Sequence, residues 1–107
     1  MGFDEYQARA DGFALPTARG MMYLIPGLAA EAGEVCGVHA KFLRDGPFRD
    51  NSKLREDMAK ELGDCLWFIA VIAKQFDIPL AVIAEMNIRK LQDRFDRNKI
   101  GGSGDDR

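Results

Sequence analysis

The sequence predicts an all-α fold with three substantial helices and one short one, on three observations. Apolar residues recur at alternating spacings of four and three along two long segments, the period of a helix with one buried face. No run of β-branched residues alternates with polar ones, so no strand competes. Breakers such as Asp45-Gly46-Pro47 and Asp77-Ile78-Pro79 divide the chain between helical stretches.

Residues 3–11 read as a short polar helix or arm, and Gly12 to Arg19, with Pro16, as a loop. Gly20 to Arg44 has helical period, with an irregularity expected at Pro26, whose ring nitrogen carries no donor. Arg44 to Ser52 reads as a polar loop. Asn51 or Ser52 can cap the next long helix, which runs to about Phe76. Pro79 is tolerated in the first turn of a last helix, about Leu80 to Asn98. The ending Gly101-Gly102-Ser103-Gly104-Asp105-Asp106-Arg107 is too glycine-rich to hold structure alone. The division expected is therefore an N-terminal helix or arm over 1–19, a helical domain over 20–98 and a flexible tail over 99–107.

A chain of 107 residues fits one domain. Alone it buries only roughly 65% of its unfolded surface, so self-association is an easy route to a larger core. Net charge is −2, from 15 basic and 17 acidic residues, which argues against a nucleic-acid binder. Met1 to Glu5 has no basic or apolar leader character, and Met21 to Ala30 is too short to span a bilayer, so a cytoplasmic protein without membrane attachment is expected. Cys36 and Cys65 sit in apolar stretches without C-x-x-C spacing and read as reduced, buried thiols.

The two long helices share a pattern. Leu24, Leu28, Ala32, Val35, His39 and Phe42 form one stripe, and Met58, Leu62, Cys65, Ile69, Ile72 and Phe76 form the other. Beside them lie Glu31-x-x-Glu34 and Glu61-x-x-Asp64, in register at an offset of 30 residues. Carboxylates three apart on a helix are neighbours and repel, a cost that a cation relieves. Four such groups on two packed helices offer oxygen ligands for a hard divalent cation such as Mg²⁺. The alternative is a non-catalytic interaction module whose acids set subunit register. Asp93/Asp96, in a charged stretch, reads as surface. Gly33 and Gly63, at equivalent positions, suggest close helix contact or room for a ligand. His39 falls on the apolar stripe and reads as a core or pocket-edge residue. Glu-x-x-His iron pairs, zinc clusters, nucleophilic triads, Walker A loops and dinucleotide fingerprints are all absent from the sequence.

Gly27-Leu28-Ala29-Ala30-Glu31-Ala32-Gly33-Glu34-Val35, then Glu61-Leu62-Gly63-Asp64-Cys65-Leu66-Trp67-Phe68, then Asn87-Ile88-Arg89-Lys90-Leu91 and Arg94, resembles the MazG-like nucleotide pyrophosphohydrolases of the all-α NTP pyrophosphatase superfamily. The Gly102 to Arg107 ending is similar to that of short MazG-like proteins, while the Arg44 to Ser52 loop matches nothing that bears on substrate choice.

The resemblance implies a four-helix core completed by a second subunit, in a homodimer or homotetramer. It implies hydrolysis of a nucleoside triphosphate to monophosphate and pyrophosphate with Mg²⁺, or Mn²⁺ in its place, in nucleotide-pool cleansing. A related phosphoanhydride such as a phosphoribosyl-ATP-like compound is the alternative substrate. Glu31, Glu34, Glu61 and Asp64 are the implied metal ligands, with Glu34 and Glu61 catalytic. Asn87, Lys90 and Arg94 share a face of the last helix and are candidates for the phosphates, with Lys41 a further cation and Arg107 able to fold over bound nucleotide. Trp67 and Phe68 are the candidate base-stacking surfaces, Phe68 foremost.

Overall fold

The computed structural model describes residues 1–46 and 51–107, and the part of the expected polar loop over 47–50 lies outside the described residues. Among them are four α-helices: α1 (Phe3–Asp11), α2 (Met21–Asp45), α3 (Ser52–Gln75) and α4 (Leu80–Asp96). A single 3-10 turn, Pro16–Ala18, interrupts the first connection. No strand occurs among the described residues, and no single helix among them is long and apolar enough to cross a membrane.

The local chemistry of the termini accounts for most boundaries. Asp77 (φ 54°) and Asn98 (φ 56°) take the left-handed conformation just past α3 and α4. In each case the next residue's N–H returns to the carbonyl five back, Ile78 to Ala73 at 3.0 Å and Lys99 to Arg94 at 2.6 Å. α4 therefore ends at Asp96, shorter than its periodicity suggested. Asn51 stands at the N-cap of α3 without a side-chain cap bond, and α2 continues as helix through Pro26, where an irregularity was expected.

α2 and α3 pack as an antiparallel hairpin. α1 lies across α3 and the start of α4, and α4 leaves α3 at 103°. One small core joins Leu24 to Phe68, Val71 and Ala14; a second joins Ala10, Ala70 and Leu80. Trp67 packs against both. Pro79, at the N-cap of α4, has no side-chain donor or acceptor to give, so α1 supplies the caps. Gln7 Oε1 accepts the Leu80 N–H at 3.0 Å and Asp4 Oδ1 accepts that of Ala81 at 3.0 Å. The first helix is thus a structural clamp rather than a loose arm.

The close glycine contact falls at Gly27, not at Gly33 or Gly63. A Cβ on Gly27 would stand 2.3 Å from the Phe68 ring, whereas nothing lies within 4 Å of one placed on Gly33 or Gly63. The chain is open: its radius of gyration is 16.8 Å, against about 13 Å for a compact domain of this length. α4 shows Met86, Ile88, Leu91 and Phe95 to solvent, and α3 shows Leu62, with Phe76 exposed just past its end.

Candidate functional site

The hairpin seam is where the acids converge. On α2 the half-buried or buried row is Leu24, Leu28, Glu31, Val35, Val38 and Phe42. On α3 it is Leu54, Met58, Glu61, Cys65, Phe68 and Ile72. Both rows keep the spacings four, three, four, three, four; they retain Leu24, Leu28, Val35, Phe42, Met58, Cys65 and Ile72 of the stripes read in the sequence and differ at single positions, with Glu31 for Ala32, Val38 for His39, Glu61 for Leu62 and Phe68 for Ile69, while Phe76 is exposed. Glu31 and Glu61 consequently stand in the seam itself, where Ala32 and Leu62 were expected. Ala32, Leu62 and Ile69 face outward, and His39 is exposed rather than at the core.

A carboxylate oxygen from each of Glu31, Glu61 and Asp64 lies within 4.8 Å of the others. Partial burial raises the Glu31 pKa above its ordinary value of 4.5, and the charges of Asp64, Glu61 and Glu34 raise it further. The approach of the Glu61 carboxyl as a hydrogen-bond partner works in the same direction. Burial, and then the Glu31, Asp64 and Glu61 charges, also raise the Cys65 thiol, which makes it a poor nucleophile. Cys36 is exposed, not buried, and both cysteines are free. Partial burial and the Asp64 charge raise the Tyr6 phenol, which places α1 beside the acidic group.

Glu34 lies outside the trio. It lines an adjoining cavity of about 550 Å³ between the last turns of α2 and the first turns of α3, together with Glu61, so that Glu61 belongs to both. Lys41 enters the same cavity, with Lys53 and Lys60 from α3; Val38, Phe42 and Leu54 form its apolar wall. Lys53 and Lys60 make exposed pairs with Asp57 and Glu56, at 2.9 and 3.0 Å. Phe42, Lys53 and Lys60 are the residues that motif reading missed. A helical count would have found Phe42 and Lys53, since Val38 and Phe42 follow Glu34 by four and eight, and Lys53 and Asp57 precede Glu61 by eight and four; Lys60, directly before Glu61, falls outside that count.

The remaining expected contacts fall elsewhere. Phe68 is 7% exposed, in edge contact with Trp67 at 5.0 Å and beside Tyr23 at 5.8 Å, so it is a core residue unavailable for stacking. Trp67 spends its indole N–H on the Ala10 carbonyl at 3.0 Å and holds α1 in place. Asn87 is exposed on α4, and neither it, Lys90 nor Arg94 lines the cavity. Lys90 Nζ donates to Asp105 Oδ1 at 3.0 Å, and Arg94, only 4% exposed, donates to the Asp105 carbonyl and carboxylate. The glycine-rich ending, expected to be flexible, is tied down. Arg107 donates to the carbonyls of Ile100, Gly101 and Gly104, which leaves its guanidinium no part at the acidic group.

Residues 19–97 match the MazG nucleotide pyrophosphohydrolase domain. The Gene 37 protein of Mycobacterium phage L5 is 38% identical over 114 aligned residues, covering 100% of both chains; its name carries no activity. No solved structure matches.

Proposed function

The chain belongs to the MazG nucleotide pyrophosphohydrolase family, and from that premise we propose that it hydrolyses nucleoside triphosphates to monophosphates and pyrophosphate with Mg²⁺. The observation that carries this reading is the trio Glu31, Glu61 and Asp64, the first two half-buried in the helix seam, where an uncompensated carboxylate is costly, and the third exposed beside them. The donor set is all oxygen, which fits a hard cation and suits neither zinc nor copper. Mn²⁺ shares that preference and would substitute. When bound, such an ion polarises the phosphoryl oxygens and offsets the charge that develops on the departing pyrophosphate.

The protein's own groups do the rest. Glu61 joins the trio to the cavity, so a triphosphate held by one is within reach of the other. Glu34, exposed at the cavity edge, accepts the proton of the water whose oxygen bonds to the α-phosphorus as the bond to the β-phosphate oxygen breaks. Lys41, Lys53 and Lys60 offset phosphate charge, and Phe42 with Val38 and Leu54 gives the base an apolar wall. Asn87, Lys90 and Arg94 reach this nucleotide from a second protomer, as part of a homodimer or homotetramer. The open shape and the apolar residues exposed on α3 and α4 support that assembly.

The test is pyrophosphate release from a panel of ribo- and deoxyribonucleoside triphosphates with Mg²⁺ or Mn²⁺. At least one substrate should turn over, and Glu61→Gln should reduce the rate by more than about a hundredfold with helicity unchanged. Absence of pyrophosphate from every substrate at micromolar enzyme rejects the reading.

A further inference from the structure

The anion site on α4 is already filled by the chain itself. Lys90 and Arg94 lie one turn apart, and the Asp105 carboxylate sits on both, at 3.0 and 3.3 Å. The two ends of this contact differ. The Arg94 side chain is 5% exposed, held within the fold, whereas that of Asp105 is 82% exposed. Arg94 Nε is buried with no hydrogen-bond partner among the described residues, so the guanidinium has donor capacity that Asp105 leaves unused.

The segment that carries Asp105 moves as a unit if it moves at all. Gly102 (φ 89°) and Gly104 (φ 88°) occupy the region that favours glycine, which lets the chain turn back on α4. Arg107 closes the turn through three carbonyls, and Arg97 donates to the Arg107 carbonyl at 2.8 Å. The ionic anchor between α4 and this closed turn is one solvated carboxylate, beside the Asp105 carbonyl that also accepts from Arg94. Such an ion pair is weak and screened, and a phosphate group brings more charge and more acceptor oxygens to the same donors.

We propose that the tail is a displaceable latch, in which Asp105 occupies the Lys90–Arg94 pair in the resting protein and yields it to the phosphate oxygens of a bound nucleotide. This rests on the triphosphate-hydrolase reading for the identity of the ligand. It adds that the protein competes with its own substrate, so the apparent affinity is lowered by the fraction of molecules latched.

The test is calorimetric titration of the full chain with inorganic tripolyphosphate, in EDTA so that the acidic trio takes no part. Asp105→Asn should bind roughly two- to fivefold more tightly than the unaltered protein. Arg107→Ala, which opens the turn without touching the carboxylate, should shift affinity in the same direction. Asp106→Asn removes the same charge one residue away and should leave affinity where it was. An Asp105→Asn protein that binds no more tightly overturns the latch, as does an equal gain in Asp106→Asn. Turnover is measured separately. Tighter binding without hydrolysis of any nucleotide keeps the latch and rejects the hydrolase, and hydrolysis without tighter binding does the reverse.

Discussion

Replacing Gln7 by alanine should destabilise the protein by about 3 kcal/mol, because one buried amide holds three separate pieces of backbone. Its Nε2 donates to the carbonyls of Ala70 at 3.2 Å and Ile78 at 3.0 Å, and its Oε1 accepts the Leu80 N–H at 3.0 Å. The residue is 6% exposed, so water cannot simply replace it. Each such bond is worth about 1 kcal/mol net, and alanine abandons two acceptors and a helix N-terminal donor together. For a domain with about 5–10 kcal/mol in hand, that is roughly a third to three-fifths of its stability. Urea unfolding followed by circular dichroism, at fixed protein concentration, should show the midpoint falling by roughly 2 M. Gln7→Glu separates the contributions. The carboxylate can still accept from Leu80 but faces two carbonyls, so its pKa in the folded state is expected to rise. An acid with a raised folded pKa contributes stability at low pH and loses it as pH climbs through that value. Gln7→Glu should therefore approach the unaltered protein in acid and fall away towards neutrality. A loss below about 0.5 kcal/mol in the alanine variant, or a pH-independent midpoint in Gln7→Glu, refutes the clamp.

Other expectations follow from the seam. Gly27→Ala should cost about 1–3 kcal/mol in the same unfolding assay, because the added carbon meets the Phe68 ring at 2.3 Å and the ring has no room to retreat. Gly33→Ala and Gly63→Ala meet nothing within 4 Å and should stabilise by up to about 1 kcal/mol each through helix propensity; losses there would reveal packing by a second protomer. The rise in Tm on adding Mg²⁺ should be largest near neutral pH and shrink as pH falls towards the raised Glu31 range, since binding requires that carboxyl to release its proton. In EDTA the Glu31 contribution has the opposite sense, present in acid and lost as pH rises, and Glu31→Gln should flatten that decline.

The amino-acid sequence alone was enough for the helical class, for the approximate span of each helix and for the in-register acids, because these depend on period and on breakers within a few residues of one another. It could not decide which of two adjacent residues at the edge of each stripe meets the partner helix. Leu24, Leu28, Val35, Met58 and Cys65 fall where the stripes put them, but Glu31 and Glu61 stand in the seam where Ala32 and Leu62 were expected. The choice is settled by contacts made at a distance, Phe68 seated on Gly27 and Trp67 bonded to Ala10, and no local pattern announces either. The same holds for the tail. Its glycines suggested freedom, yet Asp105 and Arg107 find partners on α4 and within the turn, and ion pairs formed only after the chain folds back cannot be read from composition. Periodicity reports what a segment can form by itself; which of its faces meets another segment is decided only when both are present.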